Sequence, residues 1–106
     1  MAFALFGKLT THPGRRDEFL DLFLPSARRM DKAPGCRMYL VFKDAADPDA
    51  VWVSEIWDSE ADHKASLQLG WVRAAITQAM PLLTGAFEQH VLEPLGGRTL
   101  VKSGQP

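Results

Sequence analysis

The stretch Cys36–Trp57, CRMYLVFKDAADPDAVWVSEIW, decides the fold. In Cys36–Lys43, residues Cys36, Met38, Leu40 and Phe42 fall on one face of an extended chain, and Arg37, Tyr39, Val41 and Lys43 on the other, because successive side chains of a strand alternate. Asp44–Ala50 (DAADPDA) has turn composition. Val51–Trp57 (VWVSEIW) is again rich in β-branched and aromatic residues. The segment is therefore a β-hairpin at the centre of the chain.

Upstream, Phe3–Thr10 (FALFGKLT) reads as a strand, broken by His12-Pro13-Gly14. Pro13 suits the first turn of a helix, and Asp17 and Glu18 follow where the helix dipole favours negative charge. Phe19, Leu22, Phe23, Ala27 and Met30 make one apolar stripe at helical spacing. Pro25 lies inside that pattern, so a kink or local break is expected there. Pro34-Gly35 ends the helix.

Downstream, Asp58 or Ser59 can cap a second helix carrying Ala61, Ala65 and Leu67. The pattern is interrupted near Leu69-Gly70, resumes through Trp71, Val72, Ala75, Ile76 and Ala79, and stops at Pro81 and Gly85. Ala86–Glu93 (AFEQHVLE) is the last strand. The order β-α-β-β-α-β predicts an α+β fold of ferredoxin-like topology, with two helices covering one face of a four-stranded antiparallel sheet. Residues 1–95 would form this domain, and the polar segment 96–106 a tail.

The 106 residues suffice for one domain, and 46% apolar with 24% charged residues is ordinary globular composition. A formal charge of -1 gives no reason to expect nucleic acid or an anionic membrane as partner. No apolar run approaches the ~20 residues that span a bilayer, and the start MAFALFGKLT lacks the basic region and cleavage site of a signal peptide. The single cysteine, Cys36, fits a reducing cytoplasm and reads as structural.

Both faces of the sheet are apolar. Phe3 and Leu5 oppose Ala4 and Phe6; Met38, Leu40 and Phe42 oppose Tyr39 and Val41; Trp52 and Ile56 oppose Val53 and Trp57. At ~25 cal/mol per Å2, leaving such a face wet would forgo several kcal/mol. Two helices cover one face only, so a homodimer that stacks two sheets into a shared barrel is expected.

No phosphate-binding glycine loop, nucleophile elbow, zinc motif or Cys-x-x-Cys pair is present. The three histidines, His12, His63 and His90, lie on separate elements, which gives no metal spacing. His63, one turn into the second helix, can accept or donate a proton near neutral pH, or can be a surface histidine. Glu55 is an acid in mid-strand, unusual unless paired or at an interface. It reads as a salt-bridge partner for a cation of a second subunit or as a catalytic acid. Trp52, Trp57, Trp71, Phe6, Phe42 and Phe87 can line a pocket for a flat ligand or simply fill cores. Arg73 can hold a quinone oxygen or enolate, or sit solvated on its helix.

The stretch Glu55-Ile56-Trp57-Asp58-Ser59-Glu60-Ala61-Asp62-His63, followed by Ser66, resembles the central signature of the antibiotic biosynthesis monooxygenase (ABM) family: a strand ending E-x-W, a short turn, then a helix with E-A-x-H. Pro13-Gly14 and Pro34-Gly35-Cys36 match that family's pattern in order and spacing, so the likeness covers roughly residues 2–94. The resemblance implies a dimeric α+β barrel with a pocket between helices and sheet. It also implies cofactor-independent oxygenation of quinol or phenolic molecules by O2, with the substrate supplying the electrons. The expected site is His63 as proton acceptor, Arg73 near the oxyanion, and Trp57, Trp71, Glu55 and Phe6 around the substrate, with no cofactor and no metal. Haem-degrading relatives share the fold, but their asparagine would fall near Gly7, their tryptophan near Ser66 and their haem histidine near Ile76 or Thr77, so haem binding is not expected. A non-enzymatic small-ligand or stress-response domain is the alternative, as is an isomerase of a small carbonyl metabolite.

Overall fold

A computed structural model describes residues 1–98. Four strands, β1 (Phe3–Thr11), β2 (Cys36–Lys43), β3 (Ala50–Trp57) and β4 (Leu83–Leu92), form one antiparallel sheet in the order β2-β3-β1-β4. The helices are α1 (Arg16–Arg28), α2 (Glu60–Ser66) and α3 (Gly70–Ala79), with 3-10 turns at Arg29–Lys32 and Met80–Leu82. The expected ferredoxin-like α+β order is present, with three helices rather than two. Leu69 takes extended backbone (ψ 134) between α2 and α3, which separates them outright.

The local corrections have local causes. The first helix begins at Arg16, not at Pro13, because Gly14 turns the chain through φ 78 and donates its N–H to Asp49 Oδ1 at 3.0 Å. Helix α1 runs through Pro25 without a break; the position is exposed, so the carbonyl that loses its donor can bind water. Strand β4 starts at Leu83 and contains Gly85 (φ 89) within the irregular pairing where Leu9 and Thr11 oppose Phe87 and Leu83. A second irregularity, between Cys36 and Met38, sets Cys36 opposite Trp57 and Met38 opposite Ile56. Cys36 is therefore turned toward the helices, not toward the face of Met38, Leu40 and Phe42.

The register decides which residues share a face. Leu9, Val51, Val53, Tyr39 and Val41 pack against Phe19 and Leu20 of α1 in one cluster. Trp57 packs against Met30, Ala33 and Val72 in a second cluster, at the other end of the sheet. Phe6, Met38, Leu40, Phe42, Trp52 and Ile56 lie on the opposite side, where residues 94–98 border a cavity with Met38, Leu40 and Ile56 but no described helix or strand forms a covering layer. There Phe6 stacks on Trp52 with centroids 4.9 Å apart, and the Lys8 ammonium stands 5.8 Å over the same indole.

One junction fixes where α2 begins. Ser59, in extended backbone, accepts the Asp62 N–H at 3.1 Å as helix cap, while Asp58 pairs with Arg37 instead. Gly35 adopts φ 83, its carbonyl accepts the Asp58 N–H at 2.8 Å, and a Cβ there would overlap the Asp62 carboxylate. Gly35→Ala is therefore expected to lower unfolding free energy by about 1–3 kcal/mol, read from the urea midpoint; an unchanged midpoint would contradict this account of the junction.

Candidate functional site

Strand alternation sets Glu55 and Trp57 side by side on the helix-covered face, two residues apart. One turn into α2, His63 returns over this end of the sheet. Its ring lies 5.6 Å from Phe3 and 5.7 Å, edge-on, from Trp57. The Trp57 indole N–H donates to Glu55 Oε1 at 2.9 Å, and His63 Nε2 stands 3.8 Å from that same oxygen. The side chains of His63 and Glu55 are only 17% and 14% exposed.

Burial governs the electrostatics of this trio. It raises the Glu55 pKa, an effect partly offset by the Trp57 hydrogen bond, and it lowers that of His63, where Glu60 opposes the shift and Lys64 adds to it. Tyr39 lies directly across from Glu55 in the sheet, and burial together with the Glu55 charge pushes its phenol up. The Cys36 thiol is pushed up to about 11, first by burial and then by Glu55, which leaves no thiolate near neutral pH. Near neutrality the trio thus favours an uncharged imidazole, the form that accepts a proton.

Two cavities meet at this point and share Phe23, Tyr39 and Glu55. One, of about 60 Å3, lies under the helices and is lined by His63, Ser66, Val72 and Ile76. The other, of about 150 Å3, runs toward β4 over Leu5, Gly7 and Gln89. Gly7 contributes no side chain to its floor, and a Cβ there would meet Glu88 O at 3.1 Å. Phe87 and Val91, on the same side of β4, are both 66% exposed, so the cleft is open along that edge. Among the described residues no group of three or more His, Cys, Asp or Glu side chains could hold a metal.

The structure brings together some of the residues singled out from sequence and separates others. Glu55, Trp57 and His63 converge. Glu55 faces the helices, so it is not a salt-bridge partner on the uncovered face. Trp57 is wholly buried; it reaches the cleft through its N–H on Glu55 rather than as a wall. Trp71 packs in the second core cluster with the Arg29 guanidinium 4.6 Å over its ring, and it does not line either cavity. Arg73 is exposed, because α3 turns Val72, Ala75 and Ile76 toward the cleft instead. Phe6 is on the opposite side of the sheet, stacked on Trp52. Phe23, Tyr39, Gly7 and Gln89 were not anticipated. Tyr39 shares the face of Val41 in the sequence pattern, but that pattern does not say which face the helices cover.

The family model for antibiotic biosynthesis monooxygenases matches residues 2–78. A solved structure from Chloroflexus aurantiacus J-10-fl that carries the same family name is 39% identical, covering 95% of this chain and 100% of its own, with TM-score 0.85. A Caulobacter crescentus CB15 structure of that name (22% identity, 90% and 91% coverage, TM-score 0.82) and the Mycobacterium tuberculosis protein Rv0793 (20%, 93% and 100%, TM-score 0.80) share the fold. No curated protein sequence matches the chain. On the match over residues 2–78 and the likeness to the Chloroflexus protein, the chain belongs to the antibiotic biosynthesis monooxygenase family.

Proposed function

We propose that the chain is a cofactor-independent monooxygenase that oxidises quinol or phenolic aromatic molecules with O2, acting as a homodimer in the cytoplasm. The observation that carries this reading is the half-buried His63 beside Glu55 in a cleft walled by Phe23 and Tyr39, within the fold of a monooxygenase family. An imidazole kept neutral by its surroundings takes a proton from the substrate, the O–H proton of a quinol or phenol or the C–H proton of an anthrone. The resulting electron-rich carbanion or phenolate reduces O2. For an anthrone, one oxygen atom becomes the new carbonyl and the other leaves as water with the two hydrogens lost from carbon.

Arg73 has no place in this scheme, since it is exposed and outside the cleft. The cation left beside the substrate anion is His63 itself, once protonated. Each cavity is smaller than the roughly 300 Å3 of a typical ligand site, so a fused-ring substrate would extend past Gly7 and Gln89 toward the open β4 edge. The small volume also favours a second reading, a domain that binds a small aromatic molecule without turning it over. The single cysteine suits a reducing compartment.

The dimer reading rests on the uncovered face of Phe6, Met38, Leu40, Phe42, Trp52 and Ile56. An apolar surface of this extent on a small domain marks an interface, and a two-fold copy supplies a matching one.

Metal-free protein is expected to consume O2 with a reduced naphthoquinol or anthrone, and His63→Ala to lower kcat/KM by about 10 to 1,000-fold. Uptake no faster than autoxidation, with thermal stabilisation by the same ligand, would favour the binding reading; full activity in His63→Ala would remove His63 from the chemistry. Sedimentation velocity should show a dimer, with Phe42→Asp shifting it toward single chains. A well-folded wild-type single chain at micromolar concentration would contradict the barrel.

A further inference from the structure

We infer that Trp57 is a positioning residue: its indole N–H holds the Glu55 carboxylate just out of hydrogen-bonding reach of His63, so that the imidazole stays free to act as a base. This deepens the proposed role of the His63 cleft.

The inference rests on one oxygen with two suitors. Glu55 Oε1 accepts the indole N–H at 2.9 Å and stands 3.8 Å from His63 Nε2. A movement of about 1 Å toward His63 would convert the second contact into a charge-assisted hydrogen bond, the strong kind. That bond would favour the imidazolium, and an imidazolium is no longer a base. The device that resists the movement is rigid. Trp57 is fully buried, gripped by Met30, Ala33 and Val72, and its ring also meets His63 edge-on.

The clamp is a product of strand geometry. Residues two apart on a strand point the same way and lie next to each other. A buried indole needs an acceptor and a buried carboxylate needs donors; Glu55 and Trp57 serve each other across the intervening Ile56. The other groups around the pair do not replace this bond. Strand β2 presents the Tyr39 phenol and the Cys36 thiol, neither ionised near neutral pH. Asp31 in the 3-10 turn acts on Cys36. Glu60 and Lys64, exposed on His63's own helix, act on His63 in opposite directions. Helix α1 presents Phe23 and Ser26 and β1 Leu5, none of them charged; Lys8 and Glu88 also border the cleft, but Lys8 stands over Trp52 on the other side of the sheet and Glu88 pairs with His90.

The test is an NMR titration of the His63 imidazole in ligand-free protein, with His12 and His90 as internal references. Because no substrate is present, the outcome is independent of whether the protein oxidises quinols. In Trp57→Phe the freed carboxylate should close on His63 and raise its titration midpoint by about one pH unit, a tenfold gain in proton affinity. In the double variant Trp57→Phe with Glu55→Gln the midpoint should match that of Glu55→Gln alone. An unchanged midpoint in Trp57→Phe, or an equal rise in the double variant, would overturn the clamp and leave Trp57 as packing only. Should Trp57→Phe fail to fold, wild-type protein decides: the Trp57 indole proton resonance should step with the ionisation of Glu55, above the ordinary carboxylate range, and a resonance flat with pH would equally overturn it.

Discussion

Alternation along β3 sends Val51, Val53, Glu55 and Trp57 to one side of the sheet, and that row places a largely buried carboxylate between the Trp57 indole, the Tyr39 phenol and the His63 ring. The cost of burying it is met by the indole two residues on, and in turn the carboxylate gives the buried indole its acceptor. The rest of the cleft is arranged around this bond. Gly35 and the Ser59 cap decide where α2 starts, and so bring His63 over the same end of the sheet. Phe23 and Tyr39 close the space between, and Gly7 leaves the floor open toward β4.

The same alternation gives the sheet a second greasy side. Ile56 lies between Glu55 and Trp57 in sequence and points away from both, beside Met38. Each strand therefore serves two surfaces: one is filled by three helices, the other is met by no helix or strand among the described residues, only bordered by residues 94–98 at one part. A second copy is the proposed cover, and the cleft and the interface would then lie on opposite sides of a single sheet. Substitutions on the uncovered face would change assembly before they touched the chemistry.

Much of the architecture was legible because strands, turns and helices write different periods. The hairpin Cys36–Trp57 and the first strand lie where alternation and turn composition put them, and the last strand starts earlier, at Leu83 rather than Ala86. The misreadings arose where backbone conformation, not side-chain pattern, decides: the left-handed turn at Gly14, the extended Leu69, and the irregularity that moves Cys36 to the helix side. The side of the sheet that the helices occupy was not legible, since Tyr39 and Val41 are no more apolar than Leu40 and Phe42. That ambiguity misplaced Phe6 and left Glu55 open between a partner subunit's cation and the substrate site. Arg73 is a different case, because Val72, Ala75, Ile76 and Ala79 already define the inner stripe of α3 and leave position 73 outside it. His63 was legible from its place one turn into the helix that follows the third strand, and again from the E-x-W…H pattern, whereas the link from Trp57 to Glu55 needed the face to be known first.

Where a ligand sits decides whether the buried trio is a functional site at all. A crystal structure of the protein soaked with a hydroxynaphthalene reads this most directly. The hydroxyl should lie within hydrogen-bonding distance of His63 or Glu55, with the rings running past Tyr39 and Gly7 toward β4. Density confined to the face of Phe6, Leu40 and Trp52, with the space beside His63 filled by protein alone, would contradict it.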